Sequence, residues 1–180
     1  MRKICLSMML SLDGYTEAPG HDINWHVWDD EMENYMISFF DTVDTIILGR
    51  KSYELMLSYW PFETGRIARA MNETPKLVFS KTLKEAEWNS TLLEDIIGED
   101  IDKLKQQPGK DMVLFGGATL ASAFINKNLI DEYQIIVNPI ALGDGTPLFK
   151  NLENKLNLKL TGTRVFDCGN VILSYKPVLE

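Results

Sequence analysis

Met112-Val113-Leu114-Phe115-Gly116-Gly117-Ala118-Thr119-Leu120 is the stretch on which the reading of the fold turns. Four apolar residues of strand length run straight into two glycines, and a segment of helical period, Thr119 to Asn126, follows at once. A strand that becomes a helix through Gly116-Gly117 leaves several backbone N–H groups at the positive helix end, with no Cβ to hold a ligand away. That is a place for a phosphate. By itself the doublet also fits an ordinary tight turn, so its meaning depends on its neighbours.

The same alternation recurs outward in both directions. Short apolar runs bounded by turn residues occur at Ile4 to Leu10, Thr45 to Leu48, Lys76 to Phe79, Met112 to Phe115 and Tyr133 to Val137, each the length of a buried strand. Segments of helical period lie between them, at Asp29 to Phe40, Lys51 to Tyr59, Ile67 to Met71, Ile101 to Gln106 and Thr119 to Asn126. Asp29 reads as an N-cap, with Asp30, Glu31 and Glu33 filling the positive first turn. The pattern predicts an α/β layer structure of five core strands with crossover helices on both faces. After the turn-rich connection Asn138-Pro139 to Gly143-Asp144-Gly145-Thr146-Pro147 the character changes. Leu156 to Phe166 and Asn170 to Lys176 alternate apolar and polar residues around Asp167-Cys168-Gly169, a hairpin signal with no helix between. The expected sheet is therefore mixed, mostly parallel, and ends in an antiparallel C-terminal hairpin. No repeat or Ser/Gly/Pro-rich linker divides the chain, so residues 1–180 read as one domain.

Composition excludes several classes of partner. Lys and Arg total 18 against 26 Asp and Glu, and the net charge of -8 opposes nonspecific attraction to nucleic acid or to an anionic membrane. Any anionic ligand must be held by local donors, which raises the interest of each small basic cluster. The two cysteines, Cys5 and Cys168, form neither a disulfide framework nor a zinc spacing. Met1-Arg2-Lys3 before Ile4 to Leu12 superficially resembles a leader, but the apolar stretch is short, contains polar residues and lacks a cleavage-type sequence. No run approaches the roughly 20 apolar residues of a membrane span. The expectation is a soluble cytoplasmic protein.

Two further segments share the character of the glycine doublet. Thr45-Ile46-Ile47-Leu48 leads into Gly49-Arg50-Lys51-Ser52 at a helix start, where two cations and a hydroxyl would join the backbone amides on phosphate oxygens. The alternative is a glycine turn with two solvated cations. Two such sites suit a diphosphate better than one. Val78-Phe79-Ser80-Lys81-Thr82 ends a strand in a hydroxyl, an ammonium and a second hydroxyl, at the kind of strand end where ligands lie in open α/β sheets. Ser80 and Lys81 there suit a terminal phosphomonoester, with solvated loop residues as the plainer reading. The three-glycine dinucleotide fingerprint is absent, so a Rossmann site is not expected. His21, Asp22 and His26 lack supporting ligands at metal spacing, and no metal is expected.

Taken together, Ser11-Leu12-Asp13-Gly14, Ile47-Leu48-Gly49-Arg50-Lys51-Ser52-Tyr53-Glu54, Val78-Phe79-Ser80-Lys81-Thr82-Leu83, Phe115-Gly116-Gly117-Ala118, Leu129-Ile130-Asp131-Glu132-Tyr133 and Pro139-Ile140-Ala141-Leu142-Gly143-Asp144-Gly145 resemble, in order and across nearly the whole chain, the dihydrofolate reductase-like superfamily. The nearest likeness is to the reductase domain of riboflavin biosynthesis. The resemblance implies a three-layer dihydrofolate reductase-like fold and NADPH as hydride donor. It places Gly49, Arg50, Lys51 and Ser52 on the cofactor phosphates, and Ser80 and Lys81 near the adenosine ribose phosphate. Gly116, Gly117, Ala118, Thr119 and Leu120 fall on the pyrophosphate and nicotinamide side. Met9 falls at a position lining the nicotinamide pocket, or is simply a core methionine. The family's proton-handling acid lies on the first helix, where Asp30 and Glu33 are the candidates beside their capping roles. Trp25 and Trp28, just upstream, could wall an aromatic heterocycle.

The departures narrow the substrate. Where folate-reducing relatives keep an arginine before the third core strand, this chain reads Glu73-Thr74-Pro75-Lys76, and where they keep a threonine it reads Ile135-Ile136-Val137. The His-x-Glu and Pro-Cys-x-x-Cys signature of the zinc deaminase that accompanies riboflavin reductases does not occur. The resemblance therefore implies a reductase of a small polar heterocycle or sugar imine, most like 5-amino-6-(5-phosphoribosylamino)uracil, acting alone or with a separate deaminase. A non-catalytic NADP or flavin binding protein is the alternative, and a dihydrofolate reductase the second. Relatives of this type are often dimers, and the alternating C-terminal strands leave an edge for a homodimer.

Overall fold

The computed structural model describes residues 1–178. Its elements run β1 (Ile4–Leu10), β2 (Tyr15–Glu17), α1 (Asp30–Phe40), β3 (Val43–Gly49), α2 (Arg50–Leu57), α3 (Arg66–Glu73), β4 (Lys76–Phe79), β5 (Ser90–Leu93), α4 (Gly98–Gln106), β6 (Asp111–Gly116), α5 (Ala118–Asn126), β7 (Glu132–Val137), β8 (Thr146–Pro147), β9 (Leu158–Val165) and β10 (Val171–Pro177). Eight strands form one sheet in the order β5-β4-β3-β6-β1-β7-β10-β9. From β5 to β7 all neighbours are parallel, and β10 is antiparallel to both β7 and β9.

Period-two alternation along the strands splits the core into two layers. Ile4, Leu6, Met8 and Leu10 of β1 pack in one cluster with Ile101 of α4 and Leu120, Phe124 and Ile125 of α5. Ile46 and Leu48 of β3 face the other way, into a cluster with Met32, Met36 and Phe40 of α1, Tyr53 of α2 and Met71 of α3. The three apolar anchors of α1 recur every four residues, so a single helical stripe is buried. Asp29 caps α1, its Oδ1 accepting from the Met32 amide at 2.8 Å, and Asp30, Glu31 and Glu33 occupy the first turn as the sequence predicts.

The structure corrects the sequence reading in three places. A sixth parallel strand, β5, pairs with β4 from Lys76↔Ser90 to Phe79↔Leu93; Ser-Thr-Leu-Leu is too short and half polar to stand out as an apolar run. A separate two-stranded sheet joins β2, in a segment that shows no strand signal, to β8, inside the connection that reads as turns. It depends on Gly145, which has φ +150° and whose Cβ, if present, would sit 2.1 Å from the Glu17 carbonyl oxygen. The helices α2 and α5 begin one residue earlier than expected, at Arg50 and Ala118, because their glycines serve as N-caps, and α4 begins three residues earlier, at Gly98. The C-terminal hairpin turns at Asp167-Cys168-Gly169 as its sequence indicates, with Gly169 at φ +92°. Among the described residues no helix is long and apolar enough to cross a membrane.

Candidate functional site

Because β3 and β6 are parallel neighbours, the two glycine turns that end them lie side by side at one edge of the sheet. Gly49 closes β3 and caps α2; Gly116 closes β6, and Gly117 caps α5. A Cβ on Gly49 would lie 3.5 Å from the Gly117 nitrogen, 3.5 Å from Leu120 Cβ and 3.7 Å from the Gly116 oxygen, so the two turns touch through bare backbone. Gly116 has φ +145°, a conformation that L side chains rarely adopt, and its peptide to Gly117 is cis. The Ser52 hydroxyl stands 3.0 Å from where a Gly116 Cβ would be and 3.2 Å from the Gly117 position. Among the described residues that hydroxyl has no hydrogen-bond partner.

Charge separates these helix starts from those of α1 and α4, while α3, which also starts without an acid, begins away from the two glycine turns. The first turns of α1 and α4 carry Asp and Glu, which occupy the positive end of each helix, whereas the first turns of α2 and α5 carry no acid. Helix ends without a carboxylate keep their free amides open to an external anion. Arg50 and Lys51 stand in the first turn of α2. Arg50 is held by Glu54, its Nη1 lying 3.2 Å from both carboxylate oxygens; Lys51 is exposed.

Ser80 and Lys81 follow β4, one strand further out. Buried Ser80 is used within its own turn, its Oγ accepting from the Thr82 and Leu83 amides at 3.1 and 3.0 Å. Lys81 reaches across to the end of β5, where its Nζ lies 2.5 Å from Asp95 Oδ1; that hydrogen bond and charge raise the lysine pKa, with Glu94 adding to the effect. From β1 to β4 the edge crosses three strand spacings, about 14 Å at 4.8 Å each. Along it lie in turn the methionines of β1, Gly116-Gly117, Gly49-Arg50 and Ser80-Lys81, an arrangement the length of an extended dinucleotide.

On β1 the structure separates two methionines that the sequence leaves equivalent. Met9 turns toward the α1 layer, in the same cluster as Met32 and Phe115, while Met8, not anticipated, brings its sulfur 3.7 Å from the Gly116 Cβ position. The four acids of α1 also separate. Asp29 is engaged by the Met32 and Cys168 amides, which hold its carboxyl below the usual range. Glu31 receives Arg164 Nη2 at 3.1 Å and the Asp167 amide at 3.3 Å. Both acids tie α1 to the C-terminal hairpin. Asp30 remains exposed, and Glu33 accepts from Arg66 Nε of α3 at 3.2 Å.

The segment ahead of α1 is gripped by two buried asparagines at the end of the β7–β10 ladder. Asn138 Oδ1 accepts from the Val27 amide at 2.9 Å, and Asn170 Nδ2 donates to the Val27 carbonyl at 2.8 Å. This leaves Trp28 44% exposed beside the start of α1, whereas Trp25 donates its Nε1 to the Asp22 carbonyl and packs edge-on against His26. Burial pushes the His26 imidazole down to about 4, and its Nε2 has no partner. His21 pairs with Glu17 at 2.9 Å. Among the described residues no three His, Cys, Asp or Glu side chains gather as a metal ion would need. Asp13 joins two of the sequence segments singled out above, accepting from the Leu142 and Gly143 amides at 3.0 and 2.7 Å. The Ser11 hydroxyl and these amides hold its carboxyl at about 2.

Two surface cavities of about 450 Å³ each lie at the opposite end of the sheet. One is lined by Phe40, Val43 and Pro75, the other by Cys5, Asp111 and Tyr133, at strand starts. Ligands of open α/β sheets sit at the carboxyl ends of the strands, so the glycine edge, with its free amides, is the candidate site.

Comparison with known proteins identifies the family and the fold. The family model of the RibD C-terminal domain matches residues 2–172. The uncharacterized protein YyaP of Bacillus subtilis (strain 168) is 36% identical over 179 residues, covering 97% of this chain and 94% of YyaP. The crystal structure of a Shewanella sp. PV-4 protein assigned to riboflavin biosynthesis is similar with a TM-score of 0.81 at 25% identity, covering 99% of this chain and 100% of that one. Dihydrofolate reductase from Enterococcus faecalis, complexed with NADP(H), is similar with a TM-score of 0.67 at 14% identity, covering 97% and 96%. The fold is thus the three-layer, dihydrofolate reductase-like one.

Proposed function

The chain belongs to the RibD C-terminal domain family and is a riboflavin-biosynthesis reductase-like protein, and from that premise we propose that it is an NADPH-dependent oxidoreductase. One observation carries the proposal. Two helix starts without acidic residues meet through bare glycine backbone, Gly49 against Gly117, and a pyrophosphate needs that density of amide donors. The absence of a side chain at Gly116 also lets the Ser52 hydroxyl approach the doublet, since a Cβ there would lie 3.0 Å from it.

In this reading the amides of Gly117, Ala118, Thr119 and Leu120, with those of Arg50, Lys51 and Ser52, hold the pyrophosphate, and the Ser52 hydroxyl donates to it. Ser80 shapes the turn that presents Lys81 to the adenosine ribose phosphate. Met9 and Phe115, on the α1 side of the sheet, give an apolar wall at the nicotinamide end, and Met8 backs Gly116 from the other face. Bound NADPH supplies a hydride. Reduction of a C=N bond also needs a proton at nitrogen, and Asp30 and Glu33 are the two acids of α1 not tied to its cap or to the hairpin, so they are the groups to hold or relay it. Trp28, exposed next to them, suits stacking on a pyrimidine. The substrate is a small polar heterocycle or sugar imine, most like 5-amino-6-(5-phosphoribosylamino)uracil.

The deciding assay follows loss of reduced-nicotinamide absorbance with that pyrimidine as acceptor. NADPH is expected to be consumed in preference to NADH, and replacement of Arg50 and Lys81 to abolish the preference. Equal use of both nucleotides by the native protein, unchanged when Lys81 is replaced, would remove the phosphate assignments. The pairing of Glu33 with Arg66 leaves exposed Asp30, among the described residues, as the one unpaired candidate acid of α1, which favours a second reading, a protein that binds NADP or a flavin without turnover. It predicts thermal stabilisation by nucleotide with no oxidation across a panel of acceptors that includes dihydrofolate. A second copy of the chain would join along β9, the terminal strand of the sheet, where Leu160 and Val165 are exposed. Light scattering at increasing concentration tests for that homodimer.

A further inference from the structure

The end of β5 adds a residue to the nucleotide site that neither the sequence pattern nor the family membership assigns. We infer that Asp95 sets nucleotide selectivity, opposing the 2′-phosphate of NADP and accepting from the 2′-hydroxyl of NAD. The inference rests on the assignment of Lys81 to the adenosine ribose.

The geometry leads there step by step. β4 and β5 are parallel and in register from Lys76↔Ser90 to Phe79↔Leu93, and the Ser80 amide continues the ladder to the Leu93 carbonyl at 2.9 Å. Continuing that register sets Lys81 opposite Asp95, and their side chains close the gap at 2.5 Å. Ser80 cannot take over the lysine's task, because its hydroxyl is buried and receives two amides of its own turn. Of the Ser80-Lys81 pair, Lys81 is therefore the group left to meet a phosphate, and it meets a carboxylate first. Glu94, exposed beside Asp95, deepens the negative field. A phosphate arriving at Lys81 must displace Asp95 or share the ammonium with it, and stands close to a like charge while it does. A ribose that carries only a hydroxyl meets an acceptor instead, and the ion pair need not open.

The pair contributes little to the fold. Its side chains are 74% and 56% exposed, and exposed pairs of this kind are weak, while the β4–β5 ladder already fixes the two strand ends. Asp95→Asn therefore keeps the folded protein and removes only the charge.

The test is calorimetric titration of NADP+ and NAD+ onto the native protein, Asp95→Asn, Lys81→Ala and the double variant. Asp95→Asn is expected to tighten NADP+ and to weaken NAD+, so that the ratio of their affinities rises roughly three- to tenfold, with a smaller rise at high salt. Lys81→Ala is expected to weaken NADP+ and to leave NAD+ almost unchanged. A merely structural aspartate would shift both nucleotides in the same direction. An unchanged ratio in Asp95→Asn, with NADP+ still dependent on Lys81, overturns the selectivity role and leaves the NADPH reading intact. NADP+ binding that ignores Lys81 overturns the subsite itself. Absence of any nucleotide binding overturns both.

Discussion

Ser52→Ala separates the account from a purely architectural reading of the glycine edge. The hydroxyl stands at the third residue of α2, 3.0 and 3.2 Å from the Cβ positions of Gly116 and Gly117, and has no protein partner among the described residues. Its removal from the free protein breaks no hydrogen bond, and alanine is the better helix former by about 0.5 kcal/mol. For a chain of this size that amounts to a rise in Tm of roughly 1–2 °C. With nucleotide bound, the same hydroxyl donates to a phosphate oxygen, and hydrogen bonds to charged groups contribute about 1.5–3 kcal/mol. The Kd for NADP+ should therefore rise roughly 10- to 150-fold while the apo protein is unharmed. Calorimetric titration and thermal unfolding of the same preparation measure both. Unchanged NADP+ affinity would refute the assignment of Ser52, and a large drop in apo Tm would show that the hydroxyl serves the fold instead.

Other perturbations probe separate parts of the account. Glu54→Gln frees Arg50 from the carboxylate that now holds it, and NADP+ should bind roughly two- to fivefold more tightly at low salt, the gain fading as salt is added; weaker binding would mean that Glu54 positions Arg50 rather than competing for it. Gly145→Ala forces a Cβ within 2.1 Å of the Glu17 carbonyl oxygen, so loss of the β2–β8 sheet should cost about 3 kcal/mol and lower Tm by roughly 6–12 °C; a native Tm would contradict the close approach. His26 titrates near 4 when folded because it is buried, against about 6.5 unfolded, so the unfolded state binds more protons between these values and stability falls as pH drops from 6.5 to 4. The loss is at most about 3 kcal/mol, and His26→Gln should flatten that part of the Tm profile; identical slopes would contradict it.

What could be read in the sequence depended on whether the signal was local. The apolar runs of β1, β4, β6 and β7 and the cap at Asp29 are local, and they stand where their residues place them. That Gly49 and Gly116 lie at one edge is a property of strand order, which no residue carries by itself. It follows only once β3 and β6 are neighbours. β5 escaped because two of its four residues are polar and it is an edge strand of the sheet, where a full apolar run is not needed. Met8 and Met9 differ only in parity along β1, and which face is which depends on packing against α1 and α5. The Lys81–Asp95 pair is set by the register of two parallel strands. The acids of α1 could be recognised together as a helix start, but only the hairpin contacts of Asp29 and Glu31 distinguish them from Asp30 and Glu33.

Backbone amide NMR during titration with NADP+ tests the central claim most directly, because the claim concerns which N–H groups meet the pyrophosphate. The account predicts saturable shifts concentrated at Arg50, Lys51, Ser52, Gly117, Ala118, Thr119 and Leu120, with Lys81 and Asp95 moving for NADP+ more than for NAD+. Shifts gathered instead around Cys5, Thr42, Asp111 and Ser174, at the cavity on the opposite end of the sheet, would contradict it.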